Sequence, residues 1–243
     1  RNTKNIMCVS NYIKKQVEGV LNTPNATNVN KLANCININE FGNSSEKEKN
    51  ETRTKYNINK NDRILIFAGR LIREKGVKEV LLAVKKLEGM DNLKLLIVGS
   101  FFFDTEIKND FENELKSIID DIKDKVIFTG YVKYEEINQL YAIADIAILP
   151  SLWEEAAGLT IIESMASGLP IITTDSGGIP EYAKDGCAFI LKRDENLVEN
   201  IKLKIKELLN DEEKRKQMAN ISKQNAKELN LDNFYNDLIK AIS

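Results

Sequence analysis

The sequence predicts an α/β fold, a Rossmann-like doubly wound parallel sheet with extra helices at its C-terminal end. Two observations lead there. From Arg63 onward, short apolar runs alternate with segments of helical periodicity, the order that puts helices on both faces of a parallel sheet. Crossovers between parallel strands are right-handed, which favours double winding in the order 3-2-1-4-5-6 with a reversal between the first and fourth strands.

Six strands are expected, at Ile64 to Ala68, Leu93 to Val98, Val126 to Thr129, Ile146 to Leu149, Ile171 to Thr174 and Ala188 to Leu191. Helical periodicity fills the intervals at Val77 to Leu87, Phe111 to Ile122, Tyr134 to Ala142, Leu159 to Ala166 and Pro180 to Lys184. Upstream, Asn5 to Ser10 reads as a strand and Asn11 to Leu21 as a helix, followed by a polar stretch to Ala33. Glu40 to Asp62 is rich in Asn, Lys, Glu and Ser and poor in large apolar residues, so it is expected to be a linker or long surface loop. Glu195 to Leu209, Asp211 to Leu229 and Phe234 to Ile242 read as amphipathic helices, the middle one solvated on much of its surface.

Composition narrows the function classes. The 243 residues suffice for one large α/β domain with a substantial core. With 42% hydrophobic and 30% charged residues the chain is ordinary for a globular protein, and no apolar run approaches the roughly 20 residues that span a bilayer. The 35 Lys and Arg nearly balance the 37 Asp and Glu, so net charge gives no pull toward nucleic acid. Cys8, Cys35 and Cys187 lack paired spacing and read as small buried hydrophobes. There is no His, so the commonest zinc ligand and the usual neutral-pH proton shuttle are missing, and any catalysis must use carboxylates, Lys, Arg and backbone dipoles. The chain begins at Arg1 without an initiator Met and is expected to be a piece of a longer polypeptide.

Two constellations carry chemistry. Gly69 to Gly76, GRLIREKG, lies where the first main strand ends and its helix begins, so Arg70 and Lys75 stand at the edge where open α/β sheets bind ligands. By itself this run fits ordinary surface cations about equally well. Pro150 to Glu163, PSLWEEAAGLTIIE, follows the fourth strand and enters a helix. At a winding reversal the two runs meet across one crevice, and Gly158 lets the amides of Gly158, Leu159 and Thr160 approach an anion closely. A diphosphate fits that geometry.

On a continuous helix, Glu155 and Glu163 would lie about 12 Å apart, wider than the roughly 5 to 9.5 Å of a glycosidase carboxyl pair. The spacing points to two carboxylates holding different parts of one long ligand. Glu163 sits in an apolar run, where burial without purpose is costly. The turn Thr173 to Glu181 with Gly177 and Gly178, and Gly130-Tyr131-Val132 after the third strand, are weaker signals; the latter could lie along a flat base.

Taken together, GRLIREKGV, VIFTGYV and ADIAILPSLWEEAAGLTIIESMASGLPIITTDSGGIPE resemble the C-terminal donor-binding domain of the retaining GT-B family, glycosyl transferases group 1, which includes glycogen and sucrose synthases. The resemblance spans residues 63 to 190 in order. Asn34 to Phe41 is similar to the family's interdomain passage, usually Asn-Gly-x-Asp-x-x-x-Phe, with Cys35 in place of the Gly and Asn37 in place of the Asp. The family often has Gly-Phe where this chain has Ala156-Ala157, and Gly-Asp-Gly where it has Gly99-Ser100 and the three residues Phe101, Phe102 and Phe103.

The resemblance implies a retaining glycosyltransferase that moves a sugar from a nucleotide diphosphate, a UDP-sugar, to a saccharide, lipid or protein acceptor, with no metal or other cofactor. Arg70, Lys75 and Glu155 would be catalytic, the two cations on the diphosphate and Glu155 on the donor sugar. Gly69, Tyr131, Val132, Gly158, Leu159, Thr160 and Glu163 would bind the donor, with Glu163 on the ribose hydroxyls. The implied domains are residues 1–40, a remnant of the N-terminal acceptor domain and interdomain passage; 41–62, a linker; 63–230, the nucleotide-sugar-binding domain; and 231–243, a helix returning toward the N-terminal domain. A fragment of this kind is expected to bind donor and transfer nothing alone. It would work in the cytoplasm, with peripheral membrane association in the full-length protein. A non-catalytic glycosyltransferase-like subunit and a nucleotide-sugar epimerase of GT-B form are the alternatives.

Overall fold

The computed structural model describes residues 4–21, 28–100, 110–184 and 186–242. Its main body is a six-stranded parallel sheet of β3 (Arg63–Ala68), β4 (Leu93–Val98), β5 (Val126–Gly130), β6 (Ile146–Leu149), β7 (Ile171–Thr174) and β8 (Ala188–Leu191). The spatial order is β5-β4-β3-β6-β7-β8, so the winding reverses between β3 and β6 as expected. Four of the six expected strands have the observed ends; the other two differ by one residue. The four inner strands, β4, β3, β6 and β7, are buried along almost their whole length because helices cover both faces, the condition for a parallel sheet, whereas the edge strands β5 and β8 are partly exposed.

Alternation along β3 divides the core. Leu65 and Phe67 face one layer with α3 (Val77–Lys85), α4 (Asp110–Asp120) and α8 (Leu197–Asn210), contributing Val80, Leu115 and Ile201. Ile64 and Ile66 face the other with α5 (Tyr134–Ala142) and α6 (Leu159–Ala166), contributing Tyr141 and Ile162. The chain continues through α7 (Ile179–Tyr182), α9 (Glu212–Ala226), a short 3-10 turn and α10 (Leu231–Ile242). The expected Asp211 to Leu229 helix is thus broken by that turn.

Residues 40–62 are not a loop throughout. Glu46–Lys55 form an α-helix, α2, for a local reason that outweighs the missing apolar residues. Ser45 and Glu48 make a reciprocal capping box, acids occupy the first turn, and Arg53 and Lys55 the last. Arg53 then donates to the carbonyls of Asn59 and Asp62, and Ile58 is buried, so the segment is part of the domain.

Upstream, β1 (Asn5–Cys8), α1 (Asn11–Leu21) and β2 (Asn28–Lys31) form a separate parallel two-stranded unit. The expected strand at Asn5 to Ser10 ends two residues early, and β2, in the stretch read as merely polar, is held by β1 rather than by apolar side chains. Glu181 of α7 joins this unit to the sheet. Its carboxylate accepts from the backbone N–H of Asn11 at 2.9 Å and of Tyr12 at 2.8 Å, and from Lys31 Nζ at 2.8 Å.

Burial pushes the Glu181 carboxyl up, but Lys31 and the two amides outweigh it and hold the group below the usual range. Its stabilisation is therefore complete above the unfolded glutamate pKa, about 4.3, and is lost as the pH falls through the lower folded value. Glu181→Ala should cost about 1–3 kcal/mol at neutral pH in urea denaturation, with the difference shrinking toward zero in acid. An equal difference at both pH values would reduce the contact to packing.

Candidate functional site

The loops after β3 and β6 converge at the winding reversal, as the topology requires. Between Gly69 and Gly76 the first loop makes a 3-10 turn over Arg73–Lys75 and closes on Gly76, whose φ of 71° is left-handed. A Cβ there would stand 2.1 Å from the Pro150 carbonyl oxygen, so glycine is required by conformation and by space together. Leu152 N–H donates to the Glu74 carbonyl at 2.8 Å, completing the seam.

The second loop is anchored at its back by β7 and β8. Thr174 Oγ1 donates to the Ser151 carbonyl at 2.5 Å, and Gly178 N–H to the Glu155 carbonyl at 2.7 Å. The Arg193 guanidinium bridges Glu154 Oε1 at 2.6 Å and Asp175 Oδ1 at 3.1 Å and reaches the Leu152 carbonyl at 3.3 Å. Glu154 Oε2 in turn accepts from Gly177 N–H at 2.6 Å.

Between the two loops lies a cavity of about 270 Å³. Of the ten site residues read from sequence, Gly69, Lys75, Glu155, Gly158, Leu159 and Thr160 line it. Lys75 Nζ is 2.5 Å from Glu155 Oε1, and Ser151 Oγ lies 2.8 Å from the same oxygen. On the facing wall α6 begins after Gly158, with no acid in its first turn and no side-chain cap. The amides of Gly158, Leu159 and Thr160 have no hydrogen-bond acceptor among the described residues. An ammonium and a bare helix N-terminus therefore share one cavity, which suits an anion with more than one charged oxygen.

The other four candidates lie outside the cavity wall. Arg70 is exposed immediately beyond Gly69. Tyr131 is 80% exposed at the end of β5, and Val132 is half-buried against the core. Glu163 is only 4% exposed, on α6 one turn past Leu159 and Thr160 and thus on their side of the helix. Its Oε2 accepts from the Tyr141 hydroxyl at 2.9 Å. Because α6 starts at Leu159, Glu155 stands on the loop before it, and the continuous helix from Glu155 to Glu163 assumed for their separation does not form. The residues Phe101, Phe102 and Phe103 lie outside the described residues.

Sequence reasoning assigned nothing to Ser151, Arg193 or Tyr141. Ser151 lay inside a run already singled out. Arg193 meets partners 18 and 39 residues away, which no local pattern can reveal.

A family model described as Glycosyl transferases group 1 matches residues 48–225. An uncharacterized glycosyltransferase of Methanocaldococcus jannaschii, MJ1607, is 30% identical over 67% of this chain and 40% of its own length. The alpha-monoglucosyldiacylglycerol synthase of Streptococcus pneumoniae is 34% identical over 54% of this chain and 29% of its own. The Anabaena protein Alr3699/HepE, solved in complex with UDP, superposes with a TM-score of 0.85 at 20% identity, covering 98% of this chain and 63% of that one. At that identity the likeness establishes the fold. The chain spans less than half the length of these two curated relatives. The family match begins inside α2, in the segment expected to be a linker. Among the described residues no helix is long and apolar enough to cross a membrane.

Two outcomes follow from the geometry. Gly76→Ala should lower stability by about 2 kcal/mol or more, since it adds a backbone clash to left-handed strain. Gly89→Ala, at a similar φ of 70° with nothing within 4 Å of a new Cβ, should cost only about 1 kcal/mol; equal losses in urea denaturation would discount the Pro150 contact.

Burial pushes the Glu163 carboxyl up, partly offset by the Tyr141 hydroxyl. The folded state thus binds this proton more tightly, and a destabilising term grows as the pH rises from the ordinary glutamate pKa, about 4.3, through the raised folded value. Melting temperatures should show Glu163→Gln gaining on the native chain across that rise. A pH-independent offset between the two would contradict the sign.

Proposed function

This chain belongs to the glycosyl transferases group 1 family, and from that premise we propose that it is the donor-binding half of a retaining glycosyltransferase acting on a nucleotide diphosphate sugar. The observation that carries the reading is the cavity in which Lys75 faces the amides of Leu159 and Thr160, which meet no acceptor among the described residues. Transfer breaks the bond between the sugar's anomeric carbon and the diphosphate, leaving growing negative charge on the departing oxygen. Preorganised donors at that oxygen stabilise the transition state more than the ground state. Lys75, Arg70 from the cavity rim and the α6 N-terminus would supply them without a metal ion.

Glu155 would face the donor sugar. Among the described residues it is the one carboxylate lining the cavity, and its Oε1 is already taken by Lys75 and Ser151, so that oxygen is not free to take a proton from an acceptor. That favours retention, with the leaving diphosphate taking the acceptor's proton. Glu163 would hold the ribose hydroxyls, and Tyr131 with Val132 the base. UDP is the preferred nucleotide, in keeping with the UDP complex of the Anabaena protein. The name of the streptococcal relative supports a lipid among the acceptor classes. The acceptor site would belong to the longer polypeptide, whose working place would be the cytoplasmic side of a membrane.

Calorimetric titration of this chain with UDP, GDP and their sugar conjugates tests the reading. Binding of at least one nucleoside diphosphate is expected, weakened about tenfold or more by Lys75→Ala, the scale of a lost charge-assisted contact. In the full-length enzyme the same substitution should lower turnover by orders of magnitude. No binding by the folded chain, or full turnover without Lys75, would overturn it.

A further inference from the structure

Glu163 is buried, on α6, and its carboxylate makes a single hydrogen bond: Oε2 accepts from Tyr141, and Oε1 has no partner among the described residues. A carboxylate has no proton of its own to donate, so its second oxygen is left to accept from solvent or from a ligand. No Lys or Arg forms an ion pair with it among the described residues. The titratable groups that bear on it are Tyr141 and Tyr134, both on α5. Glu40, from the turn before α2, bears on Tyr134 in turn.

Tyr141 is fully buried, although its hydroxyl needs a partner, and its position is set from behind. Phe41 packs edge-on against the Tyr141 ring, with centroids 6.1 Å apart, and against Tyr134 at 6.3 Å. A ring clamped in this way fixes where its hydroxyl points. Burial and the neighbouring Glu163 push the tyrosine's own titration well above its usual value, so it remains a donor at any working pH.

We propose that Tyr141 is a positioning residue for the nucleoside: its hydroxyl ties one oxygen of Glu163 and thereby turns the other toward a vicinal diol of the ligand. This rests on the donor-binding reading above and adds to it the group that orients the acid. A buried acid with a free rotor would sample several orientations and lose the proton less readily. Tyr141 removes both problems with one bond, and Phe41 supplies the rigidity.

The experiment compares UDP, or GDP if that binds tighter, with its 2′,3′-dideoxy analogue on this chain across pH 5 to 8, with inorganic pyrophosphate as the control ligand. The native chain should favour the ribonucleotide by about tenfold. Glu163→Gln should erase that preference at every pH. Tyr141→Phe, which deletes one hydroxyl and keeps the ring against Phe41, should cut the preference to about threefold or less and move its onset to higher pH, while pyrophosphate affinity is unchanged.

If Glu163→Gln keeps the preference, or neither nucleotide binds, the ribose reading fails and the inference with it. If Glu163→Gln loses the preference while Tyr141→Phe keeps both the preference and its onset pH, the ribose reading stands and Tyr141 is only a core residue. Should Tyr141→Phe not fold, Phe41→Leu leaves the hydroxyl in place but loosens the ring, and an undiminished preference there overturns the inference.

Discussion

The contact between Gly76 and the Pro150 carbonyl sets the geometry of the site. It brings the loop after β3 onto the loop after β6 at van der Waals range, which only a residue without a Cβ allows. Once the seam is closed, Leu152 pairs with Glu74 and Ser151 and Lys75 reach the same oxygen of Glu155. The sheet order makes the two loops neighbours. The glycine decides that they touch.

A loop that presents charges must be held from the side away from them. Here β7 and β8 do this with Thr174, Arg193 and the Gly177-Gly178 turn, whose first glycine has a φ of 48° and a Cβ position only 2.2 Å from the Glu155 carbonyl oxygen. The same turn leads into α7, where Ile179 lines the cavity and Glu181 caps α1. The two-stranded unit upstream and the wall of the cavity are therefore attached to one short helix, four residues long.

The fold was legible from residue types because the inner parallel strands, covered on both faces, are dominated by apolar residues over short runs with sharp ends. Segments made by non-local or purely polar means were not. β2, with the sequence Asn-Val-Asn-Lys, is a strand only because β1 lies beside it. α2 did leave a signal, Ser45 and Glu48 at capping-box spacing, that the poverty of apolar residues obscured. The cavity's glycines, Lys75 and the α6 N-terminus were readable as a set because a strand-loop-helix junction constrains them locally. Arg193 and Tyr141 were not, since each acts on a residue whose place depends on the completed sheet.

The ion pair between Lys75 and Glu155 bears on how a diphosphate would enter the site. Lys75 and Glu155 neutralise each other at 2.5 Å with side chains 27% and 17% exposed, partly screened by solvent. Such a pair is worth little net stability, because desolvation offsets much of the attraction. Its consequence is geometric: the ammonium is already extended into the cavity, so little side-chain entropy is lost when an anion arrives. A diphosphate carries more charge than one carboxylate and in the proposed site would also meet the α6 amides, which Glu155 does not, so it could share or displace the Lys75 contact. Like charge would then push Glu155 away from the phosphates. Ser151, at 2.8 Å, remains to hold it on the side where the sugar would lie.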